Sequence, residues 1–248
     1  MNSAFYIGKS GLKAYSDSIN VTAHNIANSG TTGYKATNSD FRELVFNQMD
    51  QNINKQLDEN SKIRTGHGVK IQSDSLQFSQ GVLTPSDSQL DFAIASGNSL
   101  FAVNRDNSVQ YTRNGSFDIS VEGNNAYLVT SDGGYVLDRN YNKINIPYVN
   151  GKPDTAVIKS KLGIFSFDNP YGLFRVDGQS FVPTDVSGTA AVATPSQYEL
   201  RQGMLENSNI NLAKEMSDVI VTQKAYQFSA KVVQTADEVE DIVNNLRR

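Results

Sequence analysis

Cysteine is absent from the 248-residue chain, which excludes a disulfide scaffold, thiol catalysis and thiolate metal sites. Long apolar runs are missing too. Nothing approaches the roughly 18 consecutive apolar residues of a membrane-spanning helix, so none is expected. The opening residues lack a basic segment followed by an apolar core, so no cleaved secretory signal peptide is expected and export would take another route. Basic clusters are lacking: 22 Lys and Arg stand against 26 Asp and Glu, a net charge of −4 that argues against a nucleic-acid surface. Histidine occurs only as His24 and His67, in no ligand motif, so a structural or solvent-facing role is expected of His24. No metal, cofactor or catalytic group is expected.

What remains is an apolar fraction of 38%, enough for a core, distributed unevenly. Phe5, Leu12, Ile19 and Ile26 recur every seven residues, the mark of one helical face, with Tyr15 extending it. Gly8 and Gly11 interrupt that helix at a cost of about 1 kcal/mol each relative to alanine, but let another backbone approach closely. Gly30 is expected to end the helix in the left-handed conformation, with Gly33 as a second pivot.

At the other end Leu205, Leu212, Val219, Tyr226 and Val233 again repeat at seven, with Met216 and Ala230 on that face. Val221, Ala225, Phe228, Val232, Val239, Ile242 and Leu246 form a second stripe. Residues advance about 100° each around a helix, so Val219 and Val221 point about 200° apart and one partner cannot cover both. Such a helix is normally surrounded, by a large core or by neighbouring subunits.

Between these helices, residues 76–192 read as short strands and turns. "SVQYTRNGSFDIS" is expected to form a hairpin about the positive-φ pair Asn114-Gly115. "NAYLVTSDGGYVLD" reads as strand, turn, strand, and Asp177-Gly178 as another turn. The stretch 45–70 is polar and aperiodic, either an extended arm or a loop ordered by contacts. The expected fold is mixed α and β: a coiled-coil-like pair of terminal helices (1–33 and 208–248), connectors at 34–75 and 193–207, and a β-rich centre at 76–192.

Weaker chemical signals favour plain readings. "GTTGYK" follows a helix rather than a strand and lacks phosphate-loop spacing, so Gly30, Gly33 and Lys35 read as hinge and solvent residues. "SDGG" reads as a turn rather than a calcium loop. Tyr34, Tyr111, Tyr127, Tyr135 and Tyr171 suit β-core or interface packing better than a carbohydrate platform. Arg113 suits a salt bridge or backbone contacts that hold its loop.

Four ordered segments carry a more specific signal. "SGLKAYSDSINVTAHNIANSGTTGYK" contains Asn25, Ile26, Ala27 and Asn28, then Thr31, Thr32, Gly33, Tyr34 and Lys35. "LDFAIASGNSLFAVNRDNSVQYTRNGSF", "FDNPYGLFRVDGQSFVPT" and "QGMLENSNINLAKEMSDVIVTQKAYQF" follow. Together they resemble the bacterial flagellar rod and hook family, nearest its distal rod branch, over nearly all the chain except about 45–70. Tyr34 stands where phenylalanine is commoner, Ser99 and Leu100 replace a glycine and a phenylalanine, and Lys224 replaces the usual arginine and its planar fork.

The resemblance implies a non-enzymatic homo-oligomer in a helical tube, exported through a type III apparatus past the inner membrane. It implies contacts with other rod proteins, hook or hook-junction subunits and a surrounding ring bushing. The competing readings are a proximal rod or hook subunit, a monomeric β-rich module binding cell-wall glycan, and, more weakly, an enzyme.

Overall fold

A computed structural model describes residues 3–44, 47–48, 64–95, 97–123, 125–149 and 152–246. Most of the polar 45–70 stretch lies outside the described residues. The chain divides into two compact units: one gathers the chain up to Ile26, Thr37–Ser75 and the chain from Leu212 onward, and the other comprises Ala27–Ala36 and Leu76–Asn211.

The first unit is built on helix α1, Ser3–Ala27. It also holds a two-stranded sheet of Thr37–Glu43 with Val69–Leu76, which closes where the Leu44 amide donates to the Gly68 carbonyl at 2.8 Å. Asn47–Gln48 pairs antiparallel with Arg64–Thr65.

The second unit is β-rich. Along its main sheet Asn145–Ile146, Asn125–Thr130, Tyr135–Val136, Leu100–Arg105, Ser108–Thr112, Ser180–Val182 and Phe174–Asp177 lie side by side. Phe117–Glu122 adds to Asn125–Thr130, and Ile164–Ser166 joins Leu100–Arg105 to Ala191–Val192. Side chains alternate across a strand, so neighbours on Leu100–Arg105 feed different cores. Phe101 packs with Phe92, Phe117, Leu128 and Ile164, whereas Leu100 and Ala102 pack with Tyr111, Phe165 and Phe181. Helix α2, Thr155–Lys161, contributes Ile158 to the first of these clusters.

Helix α3, Leu212–Leu246, completes the first unit with 35 residues and a length of about 52 Å. Leu205 is therefore not on this helix. It lies in the strand Met204–Glu206, paired with Leu83–Pro85, because the Glu206 side chain and the strand ladder hold that segment extended.

Two turn expectations also change. Ser108–Thr112 and Phe117–Glu122 are not hairpin partners: the first pairs with Leu100–Arg105 across Asp106 and Asn107, which take the positive φ values of 49° and 63°. Gly115 is needed for a different reason, since a Cβ there would lie 1.7 Å from the Phe92 carbonyl oxygen. Its own carbonyl accepts from the Phe92 amide at 3.0 Å. Likewise α1 ends at Ala27 without a left-handed Gly30; Gly33 takes that conformation, with φ of 70°.

Candidate functional site

α1 buries a stripe of small and polar residues: Gly8, Gly11, Ala14, Ser18, Thr22 and Asn25. They recur at intervals of three and four and so share one face. That face meets α3. A Cβ on Gly8 would sit 2.7 Å from Val233 Cγ2, and one on Gly11 would sit 2.9 Å from Ser229 Oγ. At the far end Asn25 Nδ2 donates to Glu215 Oε2 at 3.2 Å. Gly8 beside Val233 and Asn25 beside Glu215 make the pair antiparallel. Asn25 also donates to the Thr37 carbonyl at 2.8 Å and accepts from the Thr37 amide at 3.1 Å, so it anchors the strand to the helix.

The large apolar residues of α1 flank this stripe. Leu12, Tyr15, Ile19 and Ile26 are half-buried and Phe5 is exposed. Tyr15 packs on Phe41 with ring centroids 5.4 Å apart. On α3 only Glu215 and Ala236 are buried, while Val219, Ala225, Ala230 and Val233 are half-buried. Leu212, Met216 and Tyr226 are exposed, and so are Val221, Phe228, Val232, Val239, Ile242 and Leu246, the last at 81%. Each such side chain forgoes part of the roughly 1.5–3 kcal/mol that full burial would supply. The two groups cut across the two stripes of the sequence: of the first, Val219, Ala230 and Val233 are half-buried while Leu212, Met216 and Tyr226 are exposed, and of the second only Ala225 is half-buried.

Within the same unit a groove of about 630 Å³ opens beside the helix pair, lined by Tyr15, Phe41, Val69, Phe228 and Val232 among others. Among the described residues, no group of three or more His, Cys, Asp or Glu side chains is placed to hold a metal ion, and no helix is long and apolar enough to cross a membrane.

The β-rich unit holds a second arrangement. Glu206 is 1% exposed and receives Lys35 Nζ on Oε1 at 2.6 Å and Arg113 Nε on Oε2 at 2.6 Å. The Gly81 amide also donates to Oε1, at 2.9 Å. Lys35 donates again to the Ser79 carbonyl at 2.9 Å, and Arg113 spreads its remaining donors over the carbonyls of Gly97, Ser99 and Ile94. Every ionised group is thus met by several polar partners, as burial of charge requires.

Lys35 is therefore not a solvent residue; it is 1% exposed. Its neighbours are fixed as well. The Gly33 amide donates to the Glu206 carbonyl at 2.7 Å, and a Cβ on Gly33 would lie 2.5 Å from the Asn114 amide nitrogen. Tyr34 is fully buried under the Arg175 guanidinium, 4.6 Å from its ring centre, and accepts from Arg175 Nη1 at 3.0 Å. Thr31 Oγ1 donates to Asn28 Oδ1 at 3.2 Å, while Thr32 is half-buried and Gly30 would meet nothing within 4 Å if given a Cβ. Asn209 Oδ1 accepts from the Ala36 amide at 2.7 Å, and its Nδ2 donates to the Gln77 and Ser79 carbonyls.

Burial alone would raise the Glu206 carboxyl, but the charges of Arg113 and Lys35 and their hydrogen bonds outweigh it and hold the group below the ordinary carboxylate range. Burial presses the Lys35 ammonium below the usual lysine value, against the pull of Glu206 and with the repulsion of Arg113. The carboxylate is the hub: it balances two cations that have no exit to water.

Lys35, Arg113, Glu206 and Asn209 were not singled out as one site by the sequence, although each stands in a recognised motif segment. Their meeting depends on the tertiary fold of the β-rich unit. Of the five tyrosines, Tyr34 and Tyr111 are core residues, Tyr127 and Tyr135 pack edge to face, and Tyr171 is exposed, so they do not share one platform.

The two ends of the chain match family models: residues 5–35 match that of the flagella basal body rod protein, and residues 201–246 that of the flagellar basal body rod FlgEFG protein C-terminal region. Along its whole length the chain is 33% identical to flagellar basal-body rod protein FlgG of Borreliella burgdorferi, covering 100% of both. It is 33% identical to FlgG of Agrobacterium fabrum, covering 97% of the chain and 98% of that protein. It is 30% identical to flagellar hook-basal body complex protein FlhP of Bacillus subtilis, over 92% and 93%.

Proposed function

This chain belongs to the flagellar basal-body rod protein family, and on that premise we propose that its terminal helices join subunit to subunit in a helical tube. It is a structural subunit of the flagellar basal body, not an enzyme, and takes part in motility by assembling with other rod and hook components. The tube reading rests on one observation: six large apolar side chains of the second α3 stripe remain exposed after the chain has folded. Repeated contacts around a tube would bury them, and rigidity would then come from many neighbours rather than one strong bond.

The position in the rod is distal in this reading, supported by full-length likeness to FlgG proteins. Placement beyond the inner membrane, in the periplasm or cell-wall zone, and export through a type III apparatus accord with family membership. So do contacts with hook-junction subunits and a surrounding bushing. The seams drawn from Phe5, Leu12, Ile19 and Ile26 on α1 and from both stripes of α3 are the proposed contact surfaces.

The test is sedimentation and limited proteolysis of the purified chain before and after concentration. Terminal helices cleaved in the monomer and protected in a large particle are expected. Helices already protected in a stable monomer, with no particle at any concentration, would contradict the reading.

A further inference from the structure

Among the described residues, α1 accompanies only part of α3. Ser3 lies five residues before Gly8, and five residues beyond its partner Val233 is Glu238. From Val239 to Leu246 the helix therefore runs about 12 Å past the described start of α1. This overhang exposes Val239, Ile242, Val243 and Leu246 at 53, 59, 52 and 81%. Asp237, Glu238, Glu240 and Asp241 stand at its base, no basic residue lies between 237 and 246, and Arg247 and Arg248 follow in the sequence, so the acidic character belongs to the base of the overhang.

The groove beside the helix pair has the opposite character. It is lined by Tyr15, Phe41, Phe228 and Val232, with Arg42 and Glu43 contributing charge. The stretch of α3 that borders it, 219–236, contains Lys224 and Lys231 and no acid, and α1 from Ser3 to Ser16 contains Lys9 and Lys13 and no acid. An apolar overhang with an acidic base and a basic-flanked apolar groove thus occur on one unit. They cannot satisfy each other within one copy, because a continuous helix cannot fold back onto its own flank seven residues away, from Val239 to Val232.

We propose that the α3 overhang of one copy seats in this groove of a second copy. Val239, Ile242 and Leu246 meet Phe41, Phe228 and Val232, and the acidic base of the overhang faces Lys224 and Lys231. The two surfaces differ, so the contact is head-to-tail and repeats without closing on a pair. The inference rests on the reading that the chain self-associates through its terminal helices, and it assigns which surface meets which.

The absence of cysteine allows a direct test. Two full-length variants, Val232→Cys and Ile242→Cys, are prepared separately, mixed under associating conditions and treated with a short bismaleimide. A cross-linked dimer in the mixture and not in either variant alone is expected. In parallel, Glu238→Lys/Asp241→Lys should weaken association by roughly tenfold, with recovery when the partner carries Lys224→Glu/Lys231→Glu. All these positions are exposed, and helical circular dichroism checks that the monomers fold. If the unmodified chain assembles but the mixture gives no cross-link, or the charge-reversed overhang assembles at full strength, the docking is overturned and self-association stands. If the unmodified chain never associates, self-association itself fails.

Discussion

Lys35 and Glu206, 171 positions apart in the chain, meet at 2.6 Å in an interior that leaves their side chains 1% and 0% exposed. The first lies on the passage from α1 to the strand Thr37–Glu43, the second on the passage from the β-rich unit into α3. One carboxylate therefore ties together the two chain segments that lead to the terminal helices, with Arg113 binding the same group from the sheet.

Removing that carboxylate leaves two buried cations unbalanced. Glu206→Ala is expected to destabilise the β-rich unit by about 3–5 kcal/mol. Arg113→Lys keeps the charge but loses the fork that serves Glu206 and three carbonyls, and is expected to cost about 1–3 kcal/mol. Urea unfolding followed by tyrosine fluorescence reads both values; a loss below 1 kcal/mol for Glu206→Ala would show that the cluster adds little.

The same group sets an acid response. Glu206 titrates below its ordinary range in the folded chain, so between that value and about 4.3 the unfolded chain binds more protons. Stability from this group is present above about pH 4.3 and is lost as pH falls through the folded value. Glu206→Gln has no such proton to gain. Its urea midpoint should fall less steeply than that of the unchanged chain between about pH 5 and 3; parallel curves would contradict the assignment.

Three glycines make different demands. Gly115→Ala puts a methyl against the Phe92 carbonyl and is expected to lower the melting temperature severely. Gly33→Ala combines positive φ with a backbone clash at Asn114 and should also destabilise. Gly30→Ala meets open space without positive φ, so a neutral or slightly stabilising change, up to about 1 kcal/mol, is expected. Thermal melts of the three variants provide the check, and a destabilised Gly30→Ala would contradict it.

At the helix contact, Gly8→Leu is expected to cost about 1–3 kcal/mol by forcing α1 away from Val233. Val233→Ala should recover part of that loss in the double variant, because the clash is with the Val233 side chain. Thermal melts followed by helical circular dichroism measure it; strict additivity of the two substitutions would argue against the contact.

These particulars explain what the sequence disclosed. Heptads at Phe5–Ile26 and Val219–Val233 made both helices legible, and turn residues made the β-rich centre legible. The face that pairs the helices was harder to recognise: it is made of Gly8, Gly11, Ser18 and Thr22, while a search for apolar recurrence favours the larger residues beside them. The Asn114-Gly115 pair carries a tight-turn signal, but Gly115 serves close approach to Phe92, and the tight turn falls to Asp106-Asn107. Lysine is ordinarily a solvent residue, and only a tertiary fold that brings residues 35, 113 and 206 together reverses that expectation.

The most direct measurement introduces charge on the outward side of α3, where most of each side chain is exposed in the monomer. Val221→Asp and Phe228→Asp, at sites 67% and 64% exposed, should leave the melting temperature and helical content of the monomer unchanged. Sedimentation at high concentration should then show the unchanged chain in large particles and both variants as monomers. Particles formed equally well by all three would contradict assembly through this face.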